Sequence, residues 1–139
     1  MAQIITFPRG DKRRHTVLVV DDQPALSEPL CDYLNEAGFN ALTVGSGDEA
    51  ARMLDRGIFA IDLVFSDVHM PGILNGYALA QWAAENRPDL PVLLVTGDQQ
   101  AINVIEELGG AEIMPKPYDY ATLVRRIRAI LARRVKRRA

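Results

Sequence analysis

The stretch Ile61-Asp62-Leu63-Val64-Phe65-Ser66-Asp67-Val68-His69-Met70-Pro71-Gly72 decides how the rest of the chain is read. Leu63, Val64 and Phe65 form a short apolar run, closed by the turn signal Met70-Pro71-Gly72. That pattern is expected of a strand buried in a parallel sheet. Asp67 follows it, where the strand empties into its loop. In open α/β sheets this carboxyl end, beside a topological switch point, is where ligands bind. A single carboxylate there either caps the loop or aims a chemical group into a crevice.

Working outward, the same grammar repeats. Thr16-Val17-Leu18-Val19-Val20 is a continuous run, read as a buried strand, and it ends in Asp21-Asp22. Pro24 suits the first turn of a helix whose apolar positions Leu26, Leu30, Tyr33 and Leu34 run up to Gly38. Pro29 lies inside that pattern: either the helix starts near Ser27 as its cap, or Pro29 bends it. Phe39 to Val44 is a less apolar strand, hence nearer an edge. Ser46-Gly47-Asp48-Glu49 opens a helix through about Arg56, with acids in its first turn.

Beyond the opening stretch, Asn75-Gly76 leads into a helix ended by Arg87-Pro88. Pro91 to Gly97 is a fourth strand and its exit, and Gln99 to Leu108 a helix closed by Gly109-Gly110. Ala111 to Met114 is a fifth strand, followed by Pro115-Lys116-Pro117. Asp119 caps a last helix carrying Leu123, Val124, Ile127, Ile130 and Leu131 on one face. Five strands alternating with five helices over short loops specify one doubly wound α/β domain.

A chain of 139 residues suits one domain with a real core. No run approaches the roughly 18–20 apolar residues that span a bilayer. The N-terminus lacks the apolar core of a signal peptide, so the expectation is a cytoplasmic protein. Cys31 is the single cysteine and reads as a small hydrophobe on a helix. Net charge is −2, yet residues 1–14 carry +3, residues 125–139 carry +8 and the segment between carries −13. An acidic body does not look like a nucleic-acid surface, and the basic C-terminus is by default a solvated helix end. Residues 1–14 are read as a loose basic arm, 15–132 as the domain and 133–139 as a basic tail.

In a parallel sheet all strand exits converge. The first strand delivers Asp21-Asp22, the third Asp67, the fourth Thr96-Gly97 and the fifth Lys116. Three carboxylates together repel unless a cation sits among them. Hard oxygen ligands with open positions suit Mg²⁺, which also binds phosphate oxygens. A carboxylate beside such a cation, with Lys116 and Thr96 around it, is suited to accept a phosphoryl group.

Taken jointly, Val20-Asp21-Asp22, Asp67-Val68-His69-Met70-Pro71-Gly72, Val95-Thr96-Gly97 and Lys116-Pro117-Tyr118 resemble the receiver (CheY-like) domain of two-component response regulators, over roughly residues 15–132. The resemblance implies a flavodoxin-like (βα)5 fold with strand order 2-1-3-4-5. It implies Mg²⁺-dependent transfer of a phosphoryl group to Asp67 from a sensor histidine kinase or a histidine phosphotransfer protein. By position, Asp22 resembles the direct Mg²⁺ ligand and Asp21 the one acting mostly through water. Asp67 resembles the acceptor and third ligand, and the backbone carbonyl of His69 the main-chain ligand. Thr96 resembles the switch hydroxyl and Lys116 the ammonium that pairs with the phosphoryl group.

Such a protein is not a conventional turnover enzyme, although it promotes its own phosphorylation and dephosphorylation. It signals through a changed surface to a downstream protein target. The reading is of a stand-alone, single-domain form, open to homodimer formation through the fourth and fifth helices, with nucleic acid disfavoured and no membrane insertion. The sequence departs from the family in three places. Gly76 stands nine residues after Asp67 rather than eight. Ile113 occupies the usual aromatic switch position, while Tyr118 reads as packing. Pro29 is unusual in the first helix. Two rivals stand beside the main reading: a phosphorylation-independent adaptor acting through its basic tail, and an Mg²⁺-dependent phosphohydrolase.

Overall fold

In the computed structural model, which describes residues 14–70, 75–109 and 111–138, the apolar runs become five parallel strands. These are β1 (Thr16–Val20), β2 (Asn40–Val44), β3 (Leu63–Asp67), β4 (Val92–Thr96) and β5 (Glu112–Pro115), in the order β2-β1-β3-β4-β5. The expected doubly wound α/β class and strand order 2-1-3-4-5 are therefore what the chain adopts. β2 lies at an edge, as its weaker apolar pattern implied.

Because neighbouring side chains of a strand point to opposite faces, each strand must be covered twice. One face presents Leu18, Val20, Val64, Val92 and Leu94 to helices α2 (Gly47–Arg56), α3 (Gly76–Asn86) and α4 (Gln99–Leu108). The other presents Val17, Val19, Leu63, Phe65, Leu93 and Val95 to α1 (Pro24–Glu36) and α5 (Tyr120–Arg138). Among the described residues no helix is long and apolar enough to cross a membrane.

Local chemistry sets the helix ends. Ser46 and Asn75 each accept a backbone N–H of the first turn, from Glu49 at 3.1 Å and from Ala78 at 2.8 Å. Asp98 caps α4 through Gln100 and Ala101, and Asp119 caps α5 through Thr122. Gly57 closes α2 at φ 64°, a left-handed position that suits glycine. The choice left open in the sequence for α1 resolves towards the earlier start. The helix begins at Pro24, and Ser27 is a buried helical residue rather than the cap. Pro29 stands inside it on the exposed side.

Two ties at the sheet's amino-terminal edge were not read from the sequence. Arg14, placed there in a loose arm, donates to the carbonyls of Asn35, Gly38 and Phe39 and so caps the C-terminus of α1. Residues 1–13 lie outside the described residues. Asp62 accepts the Thr16 N–H at 2.8 Å and pairs with Arg134 at 3.2 Å, joining β1, β3 and α5. Helix α5 therefore runs past residue 132 without a break, and Arg133 also turns back to Glu112. His15, immediately before β1, is half-buried.

Proline in a helix interior removes one backbone hydrogen bond and crowds the carbonyl four residues earlier, here that of Ala25. Replacing the exposed Pro29 by alanine is expected to raise stability by about 1–3 kcal/mol, read as a higher urea midpoint at unchanged slope.

Candidate functional site

Strand register builds the site. Val20 stands beside Ser66, so Asp21 comes alongside Asp67 one step later. Asp67 itself stands beside Val95, which places Thr96 just beyond it. Thr96 stands beside Pro115, which brings Lys116 to the same edge. With strands about 4.8 Å apart, β1, β3 and β4 put these groups within roughly 10 Å across three adjacent strands. The structure thus gathers every residue singled out at the strand exits onto one edge of the sheet.

Asp67 is the centre of this set. Its Oδ2 is paired with the Lys116 ammonium, and its Oδ1 accepts the His69 backbone N–H at 3.0 Å. Lys116 is fixed in turn by its own N–H, which donates to the Thr96 carbonyl at 2.9 Å, and a cis peptide joins it to Pro117. The Thr96 hydroxyl is buried and accepts the Asp98 N–H at 3.1 Å. Having accepted, it still holds a proton to donate.

Asp21 is half-buried, and its Oδ1 accepts the Gln23 N–H at 2.8 Å. Burial holds its carboxyl above the ordinary aspartate range, and the charges of Asp22 and Asp67 add to the effect. Asp22 is exposed beside it. Among the described residues no three carboxylate, imidazole or thiol groups are already close enough to ligate one ion together. What the edge offers is a set of mutually repelling carboxylates with oxygen donors, countered by Lys116. That donor set fits Mg²⁺, which takes one or two carboxylates and keeps waters.

Gly76 explains how the longer loop is accommodated. It is buried, its N–H donates to the Val68 carbonyl at 3.0 Å, and a Cβ built there would lie 2.0 Å from the Asp67 carbonyl oxygen. The glycine therefore abuts the backbone of Asp67 although it stands nine residues on.

The side chains around the site sort themselves. His69 is solvent-facing, and its Nε2 stands 3.6 Å from Asp98 Oδ2, a pairing the sequence did not announce. Ile113 is buried in the core rather than poised at the surface. Tyr118 packs edge-on against Phe65 at 5.8 Å, as its packing assignment implied. Burial, with Tyr120, Asp21 and Asp67 adding, pushes its phenol up to about 12. Tyr77 and Trp82 pack against the core. Cys31 is half-buried, with its thiol pushed up by burial and by Asp32.

A sheet of this order with an aspartate and a lysine paired at its carboxyl edge defines a response-regulator receiver, and the comparisons agree. The family model "Response regulator receiver domain" matches residues 17–128, and the chain belongs to that family. It is 35% identical over 120 residues to the sensory transduction protein RegX3 of Mycolicibacterium smegmatis, covering 85% of this chain and 51% of RegX3. The chain thus spans about half the length of this curated relative.

Among solved structures it is similar to a response regulator of Chloroflexus aurantiacus, with TM-score 0.77 and 33% identity over 86% of this chain and 99% of the other. It is also similar to the response regulator TrrA of Thermotoga maritima, solved with Mg²⁺ and BeF, with TM-score 0.74 and 28% identity over 83% and 97%. Receiver domains are signalling phosphoacceptors rather than conventional enzymes, and they work between histidine kinases and downstream effectors.

Two substitutions test the geometry without any ligand. Gly76→Ala is expected to cost about 1–3 kcal/mol and to shift the backbone resonances of Asp67 and Val68, because a methyl group cannot share that space. For Asp21 the folded carboxyl binds its proton more tightly than the unfolded one. Its stabilising share is therefore complete below the ordinary value of 3.8 and is lost as pH rises through the higher folded value. Asp21→Asn is accordingly expected to raise the melting temperature of the metal-free protein at pH 7, with the gain shrinking towards pH 3.

Proposed function

We propose that Asp67 accepts a phosphoryl group from a phosphohistidine of a sensor kinase or a phosphotransfer protein, and that the change at this edge is read by a downstream protein. One observation carries the reading. Asp67 is held between the Lys116 ammonium and the His69 N–H, with Asp21 and Asp22 on the neighbouring strand exit. In the transfer, the P–N bond to the donor imidazole breaks as a bond forms between phosphorus and an Asp67 carboxylate oxygen. The imidazole leaves, taking a proton from solvent.

Each neighbour has a task in that step. The Lys116 ammonium follows the charge from the carboxylate to the phosphoryl oxygens, which gain negative charge in an in-line transfer. The Thr96 hydroxyl donates its proton to one of them while keeping the Asp98 N–H on its lone pair. Asp21, Asp22, Asp67 and the His69 carbonyl would hold Mg²⁺, which when bound offsets the carboxylate charge and screens the entering phosphoryl group. The same groups would serve the reverse step, attack of water on the aspartyl phosphate, so that the protein promotes both its own phosphorylation and its own dephosphorylation.

The test is the intact mass after incubation with acetyl phosphate, with and without Mg²⁺. The expected result is an adduct of one phosphoryl group that requires Mg²⁺ and is lost in Asp67→Asn. Lys116→Ala is expected to slow its formation by about 10²–10³-fold. An adduct that survives Asp67→Asn would overturn the assignment. Failure of both the adduct and a beryllofluoride complex on the wild-type chain would overturn it as well.

A further inference from the structure

Apart from the phosphoacceptor edge, the described surface exposes three pairs of large apolar side chains: Leu26 and Tyr33 on α1, Val104 and Leu108 on α4, and Ile58 and Phe59 between α2 and β3. The last pair differs from the others in what surrounds it. Ile58 and Phe59 stand between two clefts, of about 420 and about 290 Å³, and line both of them. The first cleft also touches Asn35, Asn40 and Leu42, and the second Val44 and Met53. Together they make one trough along β2, which among the described residues pairs only with β1.

An edge strand with exposed apolar neighbours is a surface that chains tend to cover. The sequence supplies a cover. Ile4-Ile5-Thr6-Phe7 is an apolar, β-prone run, bounded by Pro8, within residues 1–13, and it belongs to the part of the chain outside the described residues.

The point at which that part joins the fold decides where it reaches. Arg14, the first described residue, is fixed to the carbonyls of Asn35, Gly38 and Phe39, and Asn35 lies on the rim of the first cleft. Phe7 lies seven positions before Arg14, a reach of at most roughly 25 Å. The five residues of β2 extend about 17 Å. No position along the trough is out of range. The face of α4 has no such tether at its margin, and on α1 the Tyr33 ring is already packed against Tyr120 at 5.1 Å.

We propose that Ile4-Ile5-Thr6-Phe7 of this same chain packs over Ile58 and Phe59 and covers the trough along β2. The contact is made by side chains rather than by a full added strand. The Ala41 N–H is already taken by Asn35 Oδ1 at 2.9 Å, which blocks part of the β2 edge.

A nitroxide placed at Thr6→Cys in the full chain, with Cys31→Ser removing the single native thiol, tests the proposal by NMR. The expected result is loss of the amide signals of Leu42, Ile58 and Phe59, with signals of α4 retained. The lost signals should return when the nitroxide is reduced, and when Phe7→Asp or Phe59→Asp is added. Retention of the Leu42, Ile58 and Phe59 signals in the oxidised sample would overturn the proposal. A second sample, with the nitroxide on one copy and the isotope label on another, separates the occupants. Signal loss there would assign the trough to a second copy and equally overturn it.

Discussion

The constraint behind everything else is that a parallel sheet cannot leave either face in water. Its strands are apolar on both sides, so helices must cover both, and each crossover returns the chain to the same end of the sheet. Val17 and Val19 need α1 and α5, while Leu18 and Val20 need α2 and α3. The consequence is directional. Every strand empties at one edge, and residues far apart in sequence, such as Asp21, Asp67, Thr96 and Lys116, become neighbours there. The chemistry of the site is thus a by-product of hiding the sheet.

What the sheet gathers, electrostatics leaves unbalanced. Three carboxylates share an edge with one ammonium, and the proton affinity of Asp21, raised first by its burial, is raised further by Asp22 and Asp67. A fully neutralised cluster would be a structural salt bridge and nothing more. An excess of negative charge, held in place by backbone N–H groups from Gln23 and His69, instead leaves room for a cation and for a group that travels with it. Asp67 is also the aspartate whose two oxygens are both held, so its orientation is set before any partner arrives.

Much of this was legible in the sequence, because periodicity and strand exits are local signals. The alternating strands and helices indicated the fold class, and the four exit motifs, through the resemblance they carry, implied the strand order that the chain adopts. What escaped was non-local. Nothing in the spacing of Arg14, Asp62 or Arg134 reveals that they tie α1 and α5 to the amino-terminal edge of the sheet, since each partner lies more than 20 residues away. The start of α1 was ambiguous because Pro24 and Ser27 are both good helix openers, and only the burial of Ser27 separates them. The pairing of His69 with Asp98 depends on two loops meeting. Ile113 was flagged as a departure from the family's aromatic, and its burial gives that departure a physical content: the side chain fills the core beside α4 instead of moving at a surface.

The abutment of Gly76 on Asp67 carries a lesson about how such a loop can evolve or be redesigned. Asp67 is referenced to the glycine through a close backbone approach and the hydrogen bond from Gly76 to the neighbouring Val68 carbonyl, and not to the number of residues between them. The identity of residue 76 is consequently constrained by the backbone of Asp67 itself. In comparing homologues, aligning on the glycine rather than on residue count will keep the chemistry in register.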